Sequence, residues 1–263
     1  MLLQRSGYKL YYDLVGPDSG EVICFAHALA ADGGMWAEQV PPLLSAGFRV
    51  LRLDMRGHGG SSIFGERCSI QDLAADVIGV LDHLRMERVH FVGLSIGGII
   101  GQAIAINHVL RLQSLILSDT NSASPPNAKD MWVARVASVR EARSASVLAD
   151  AMMPRLLSDA FKSRSPVRWN QVHQTIGATQ PAGIYACAHA LGDFDFTPFL
   201  PKIDLPVMVV CGQNDPATPP SEAKKLVKLI PQARYEEIPD ALHFPNVEQP
   251  GFYADVMLNW FKK

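Results

Sequence analysis

Short runs of β-branched and aliphatic residues alternate along this chain with stretches of helical period. Residues 22–26, 48–54, 89–94, 112–117, 207–211 and 233–238 form the strand-like runs, most of them without polar alternation. Such runs predict strands covered on both faces, as in a parallel sheet flanked by helices. Residues 8–15 alternate instead, which suits an edge strand, and Gly16-Pro17-Asp18-Ser19-Gly20 supplies the turn after it. Helical period is read over residues 34–46, 70–84, 99–107 and 252–261. The order strand, helix, strand, helix predicts an α/β fold.

The alternation stops between residues 121 and 201. Helical runs there are broken by Pro125-Pro126, Pro154, Pro166 and Pro181, which predicts a helical cap (121–201) inserted into a core domain made of 1–120 and 202–263. Trp132, Met152, Met153, Phe161, Trp169, Phe194 and Phe196 collect in this segment, as expected of elements that roof a pocket or pack onto the domain below.

A chain of 263 residues suffices for one large core with such an insertion. Charged residues make up 19% and the net charge is −2, so there is no basic surplus with which to hold a run of phosphates, and nucleic acid is not an expected partner. Cys24, Cys68, Cys187 and Cys211 are widely spaced, with neither a disulfide framework nor a metal-binding spacing. No metal is expected. No run of eighteen apolar residues occurs and the first residues lack the pattern of a secretory leader, so no membrane partner is expected and a soluble cytoplasmic protein is. No oligomeric state is selected.

The candidate chemistry starts at Gly93-Leu94-Ser95-Ile96-Gly97-Gly98, where an apolar strand meets a helix. A serine on so sharp a turn has its hydroxyl pushed out of the sheet, and glycines flank it because side chains there would strike the neighbouring strand and helix. Ser95 is the candidate nucleophile. It needs a base and a group to orient that base. Asp215 follows the run at 207–211 and His243 follows the run ending at 238, so both lie beyond the carboxyl ends of late strands, where loops of an open parallel sheet converge. Asp215 also reads as a turn residue before Pro216, Asp119 is a rival acid, and His243 also reads as a packed loop histidine. His58 and His27 read as holding the shape of their own loops. The remaining histidines have no nucleophile to serve. For the oxyanion, the N–H of Ile96 at a helix N-terminus and that of Leu29 in the loop after residues 22–26 are the expected donors.

These segments resemble the α/β-hydrolase superfamily over almost the whole chain, through His27-Ala28-Leu29, residues 54–61, residues 93–98, Gly212-Gln213-Asn214-Asp215 and Leu242-His243. Met35 to Val40, Arg56-Gly57-His58-Gly59, Asp215 to Pro219 and Asn246 to Pro250 make the likeness greatest to the 3-oxoadipate enol-lactonases. The resemblance implies a mostly parallel eight-stranded sheet flanked by helices and hydrolysis of an ester or lactone in aromatic catabolism by Ser95, His243 and Asp215, with no cofactor. The small-molecule substrate is then an ester or lactone, and a lactone bearing a carboxylate needs a cation. The cap offers Arg135, Arg140, Arg143, Arg155, Arg164 and Arg168; Trp132 and Arg135 are the expected substrate contacts. Where the enol-lactonases have Asn-Ser-Leu-Gly, this chain has His27-Ala28-Leu29-Ala30. A broad carboxylesterase or perhydrolase, or a slow-turnover ligand-binding protein, shares the same signature, whereas a nucleophilic aspartate, as in dehalogenases and epoxide hydrolases of this fold, does not.

Overall fold

The structure is a computed structural model that describes every residue except Phe64, Glu66 and Lys263. The strands are β1 (Leu2–Arg5), β2 (Tyr8–Val15), β3 (Val22–Ala26), β4 (Arg49–Leu53), β5 (Val89–Leu94), β6 (Leu112–Ser118), β7 (Val207–Gly212) and β8 (Arg234–Ile238). They form one sheet in the order β1-β2-β4-β3-β5-β6-β7-β8, in which β2 runs antiparallel to both its neighbours, β1 and β4, and all the other neighbours are parallel. The interior strands β3, β5 and β7 are buried almost throughout, which accounts for their unbroken apolar sequences. β2 alternates but is not the edge, because β1 pairs along it from Tyr8 to Tyr11. Its alternation reflects one solvated face, a common property of antiparallel strands wherever they lie.

The helices between the strands of the first half are α1 (Val40–Ser45), α2 (Ile70–His83) and α3 (Ile96–Asn107). α2 begins at a reciprocal cap in which the Ser69 hydroxyl takes the Asp72 N–H and the Asp72 carboxylate takes the Ser69 N–H. The helix expected over residues 34–46 is two pieces. A 3₁₀ turn, Gly33–Trp36, is capped by the Asp32 carboxylate on the Gly34 N–H, and α1 starts afresh with Pro41 and Pro42 in its first turn. Prolines have no N–H for a preceding helical carbonyl, so they begin a helix here instead of continuing one.

Between β6 and β7 come α4 (Ala128–Ala142), α5 (Ser146–Leu156), α6 (Asp159–Arg164), α7 (Pro166–Ala178) and α8 (Pro181–Gly192). Pro166 and Pro181 start their helices. Pro154 does not break one: it lies in the last turn of α5, where the missing N–H leaves only the carbonyl of Asp150 without a helical partner. The chain closes with α9 (Pro220–Leu229), α10 (Pro245–Glu248) and α11 (Pro250–Phe261).

The core is a continuous apolar layer on both faces of the sheet, anchored by the fully buried Phe25, Trp36, Phe91 and Tyr253. Each such side chain contributes roughly 1.5–3 kcal/mol by leaving water. The rigid sheet fixes the carboxyl ends of β3, β5, β7 and β8 along one rim, and the loops beyond them carry Leu29, Ser95, Asp215 and His243.

Candidate active site

Ser95 joins β5 to α3 with φ 57° and ψ −119°, a conformation that L-residues adopt only when their surroundings impose it. Three bonds impose it here. The Ser95 N–H donates to Ser118 O at 2.9 Å, and Ser95 O accepts from Thr120 Oγ1 at 2.9 Å and from the Ile99 N–H at 3.1 Å. The turn is too tight for side chains at its flanks. A Cβ on Gly93 would lie 2.1 Å from Gly97 O, and one on Gly97 would lie 2.3 Å from Ala26 O.

The His243 Nδ1–H donates to Asp215 Oδ2 at 2.8 Å, with the His243 side chain 6% and the Asp215 side chain 0% exposed. Asp215 also takes the N–H groups of Ala217 and Thr218 on Oδ1 at 2.7 and 3.2 Å, and the Thr218 hydroxyl on Oδ2 at 2.7 Å. Asp215 therefore fills both readings its sequence allowed: it closes a turn and it orients an imidazole. Burial pushes its carboxyl up, but the His243 charge and these hydrogen bonds outweigh burial and hold it below the ordinary value. Asp119, the rival acid, lies behind this pair and does not bond His243. Its Oδ1 accepts the Gly212 N–H at 2.8 Å and its Oδ2 the Ser118 hydroxyl at 2.7 Å. Burial, then the Asp215 charge, push it well above the ordinary range. Asp119, Asp215 and His243 place ligand atoms within 4.8 Å of one another, yet the carboxyl oxygens already serve the donors just named.

The histidine loop is tied to the helices above it. Leu242 N–H donates to Glu248 Oε2, while Glu248 Oε1 takes the Ser158 N–H at 2.8 Å and the Ser158 hydroxyl. Phe244 N–H donates to Leu156 O at 3.1 Å. Among the described residues no protein acceptor takes the N–H of Leu29 or of Ile96, so both remain available to a ligand. His27 is structural: its Nδ1–H donates to Ala28 O at 2.7 Å and its Nε2 accepts the Met55 N–H at 2.9 Å. His58 packs 5.4 Å from the His27 ring, and burial lowers its pKa to about 3.

Ser95, His243 and Leu29 open onto a cavity of about 290 Å³ that is also lined by Trp132, Arg135, Met152, Arg155 and Phe194. Of the large apolar residues between β6 and β7, Trp132, Met152 and Phe194 face it; Met153, Phe161 and Phe196 are buried in packing, and Trp169 stacks on His173. Of the six arginines, Arg135 and Arg155 reach the cavity. Arg168 pairs with Glu38 at 2.6 Å, Arg164 donates to Glu248 O, Arg140 lies over Tyr185 and Arg143 ends α4. No acidic side chain lines the cavity among the described residues. The Arg135 guanidinium lies 4.8 Å from the centre of the Trp132 ring, and burial, then the charge of Arg155, lower its pKa. Arg155 Nη2 donates to Pro216 O at 2.9 Å. The sequence reading assigns no role to Thr218, Thr120 or Glu248: Thr218 and Glu248 fall in segments that carry the enol-lactonase likeness, Thr218 also has the Asx-turn spacing from Asp215, and Thr120 left no signal.

Residues 21–250 match the family model for the alpha/beta hydrolase fold. A 3-oxoadipate enol-lactonase of Acinetobacter baylyi is 31% identical over 262 residues, covering 100% of this chain and 96% of the relative. The enol-lactonase of Burkholderia xenovorans superposes with a TM-score of 0.95 at 31% identity, each chain covered completely. A thermophilic esterase of Thermogutta terrifontis, solved with malate bound, superposes at 0.91 with 30% identity over 97% of this chain and 93% of that one. With a strained serine elbow, a histidine–aspartate pair on the same sheet rim and similarity running from end to end, this chain belongs to the α/β-hydrolase family.

Proposed function

We propose that this hydrolase of esters or lactones opens a carboxylate-bearing enol-lactone, 3-oxoadipate enol-lactone being the reading favoured by its relatives, in the breakdown of aromatic compounds. Ser95 attacks the lactone carbonyl while His243 Nε2 takes its proton and Asp215 stabilises the imidazolium. The N–H groups of Ile96 and Leu29 hold the oxyanion. The ring C–O bond then breaks, His243 returns the proton to the departing enol oxygen, and water, deprotonated by the same imidazole, releases the acid from Ser95. Trp132 packs on the lactone, and Arg135 and Arg155 hold the free carboxylate.

The observation that carries this reading is the pair of guanidiniums in the cavity shared with Ser95 and His243, whose lining among the described residues has no acidic side chain. A cation pair without a facing counter-charge among those residues favours an anionic ligand. The malate carried by the solved esterase relative is in keeping with it. Among the described residues no helix is long and apolar enough to cross a membrane, and we read the protein as a soluble enzyme of the cytoplasm.

The test compares kcat/KM for 3-oxoadipate enol-lactone and for the neutral p-nitrophenyl acetate in the wild type, Arg135→Met and Arg155→Met. Losing one charge-assisted bond of about 1.5–3 kcal/mol should lower the lactone value roughly 10- to 100-fold. The acetate should change by less than about threefold. A wild type that prefers the neutral ester, with the arginine variants indifferent to charge, would instead favour the broad carboxylesterase to which the 30% identical esterase points.

A further inference from the structure

Ser118, Asp119 and Thr120 link the nucleophile turn to the acid loop. Ser118 O and Thr120 Oγ1 hold the backbone of Ser95, and the Asp119 side chain holds the N–H of Gly212, three residues before Asp215. Asp119 is fully buried and adopts φ 45°, a left-handed conformation for a residue with a side chain. A strained, buried acid that the catalytic scheme does not use calls for a role.

We propose that Asp119 is a positioning residue for the triad, a neutral carboxylic acid that shares its proton with the Asp215 carboxylate and so fixes that carboxylate against His243. This rests on the triad reading above. Two carboxyl groups with oxygens within 4.8 Å in a buried site cannot both be ionised without large repulsion. Asp215 has an imidazole and three further donors to stabilise its charge, whereas Asp119 has one N–H and one hydroxyl. The proton therefore resides on Asp119, in agreement with the upward displacement that burial and the Asp215 charge impose on it. The other titratable groups facing it are the Cys211 thiol, the Tyr253 and Tyr235 hydroxyls and His243. The first two are themselves held neutral by burial.

The arrangement has a mechanistic result. A second anion behind Asp215 would add unscreened negative charge beside the imidazole; a neutral acid holds the Asp215 carboxylate without adding that charge.

The test reads the acid limb of the kcat/KM profile for p-nitrophenyl acetate, which reports the deprotonation of His243 in the free enzyme. In Asp119→Asn the amide can still donate to Asp215, so the limb should stay within about 0.3 pH unit of wild type while kcat falls no more than about tenfold. Asp119→Leu, which has no donor, should lose roughly 100-fold in kcat. A limb displaced downward by one unit or more in Asp119→Asn would show that Asp119 is ionised and overturn the proposal, as would wild-type kcat in Asp119→Leu. If neither variant folds, carbon-13 NMR of wild-type protein labelled at its aspartate carboxyls decides at pH 7: a neutral carboxyl is expected, and a fully ionised set refutes it. Ser95→Ala in the same ester assay separates the two readings, because turnover that survives it removes the triad itself, whatever the state of Asp119.

Discussion

Replacing Asp215 by Asn tests which acid serves the imidazole. In the wild type Oδ1 is anchored by the N–H groups of Ala217 and Thr218, and Oδ2 accepts from His243 Nδ1 at 2.8 Å. An amide nitrogen cannot accept those two anchors, so the substituted side chain must keep its oxygen on them and turn its NH₂ toward His243. Two donors then face each other. The ring relieves the clash by moving its proton to Nε2, the tautomer that cannot take the Ser95 proton. The imidazolium formed during attack also loses its counter-charge; at 2.8 Å and an effective dielectric of about 20 that attraction has an upper value of about 6 kcal/mol. Part of it is recovered from water and neighbouring dipoles, so the expected loss is roughly 10³- to 10⁴-fold in kcat, or about 4–5.5 kcal/mol. The assay is steady-state hydrolysis of p-nitrophenyl acetate, with thermal unfolding to verify a native fold. A loss below tenfold would refute the reasoning, and an equal loss in Asp119→Asn would move the acid role to Asp119. Stability supplies a second reading. The folded value of Asp215 is depressed, so its contribution is present above its ordinary value near pH 4 and is lost as pH falls through the lower folded value; the gap between wild type and variant should close over that window.

Two further outcomes follow from the same geometry. Ser95→Ala and His243→Ala should each lower kcat by about 10⁴-fold or more, and the double variant should be little worse, because in the proposed mechanism nucleophile and base act as one unit; losses that multiply would count against a shared unit. His58 is buried with its pKa lowered to about 3, so the unfolded chain binds its proton first and stability falls as pH drops from the ordinary value of about 6.5 toward 3. Between pH 7 and 5 this amounts to about 2 kcal/mol, and urea titrations of His58→Gln should show a flatter dependence over that range; an unchanged slope would mean that His58 charges freely in the fold.

The elements with strong local signals were legible in the sequence. The runs at β3, β5 and β7 could only be covered strands, and the Gly93-Ser95-Gly97 turn announced its own geometry because so few residues tolerate it. Asp215 and His243 were legible by their places after late strands. What separated Asp215 from Asp119 was not, since both follow buried strands and only the three-dimensional register puts one carboxylate on Nδ1 and the other on Gly212. β1 escaped because four residues carry too little periodicity, and the break before α1 is set by Pro41 and Pro42, which start a helix afresh inside an otherwise helical pattern. The arginines were legible as a group; which two face the cavity depends on how α4 and α5 sit over the rim, which no local pattern encodes.

Glu248 binds Ser158 with one carboxylate oxygen and Leu242 with the other, so the segment above the rim and the loop of the proposed base, His243, are spliced through one side chain. Exchanging that segment for one from another hydrolase would thus unsettle the His243 loop unless an equivalent splice came with it. Diversification of substrate preference in this chain is accordingly cheapest at the cavity-facing side chains of α4 and α5, where replacements leave the splice intact.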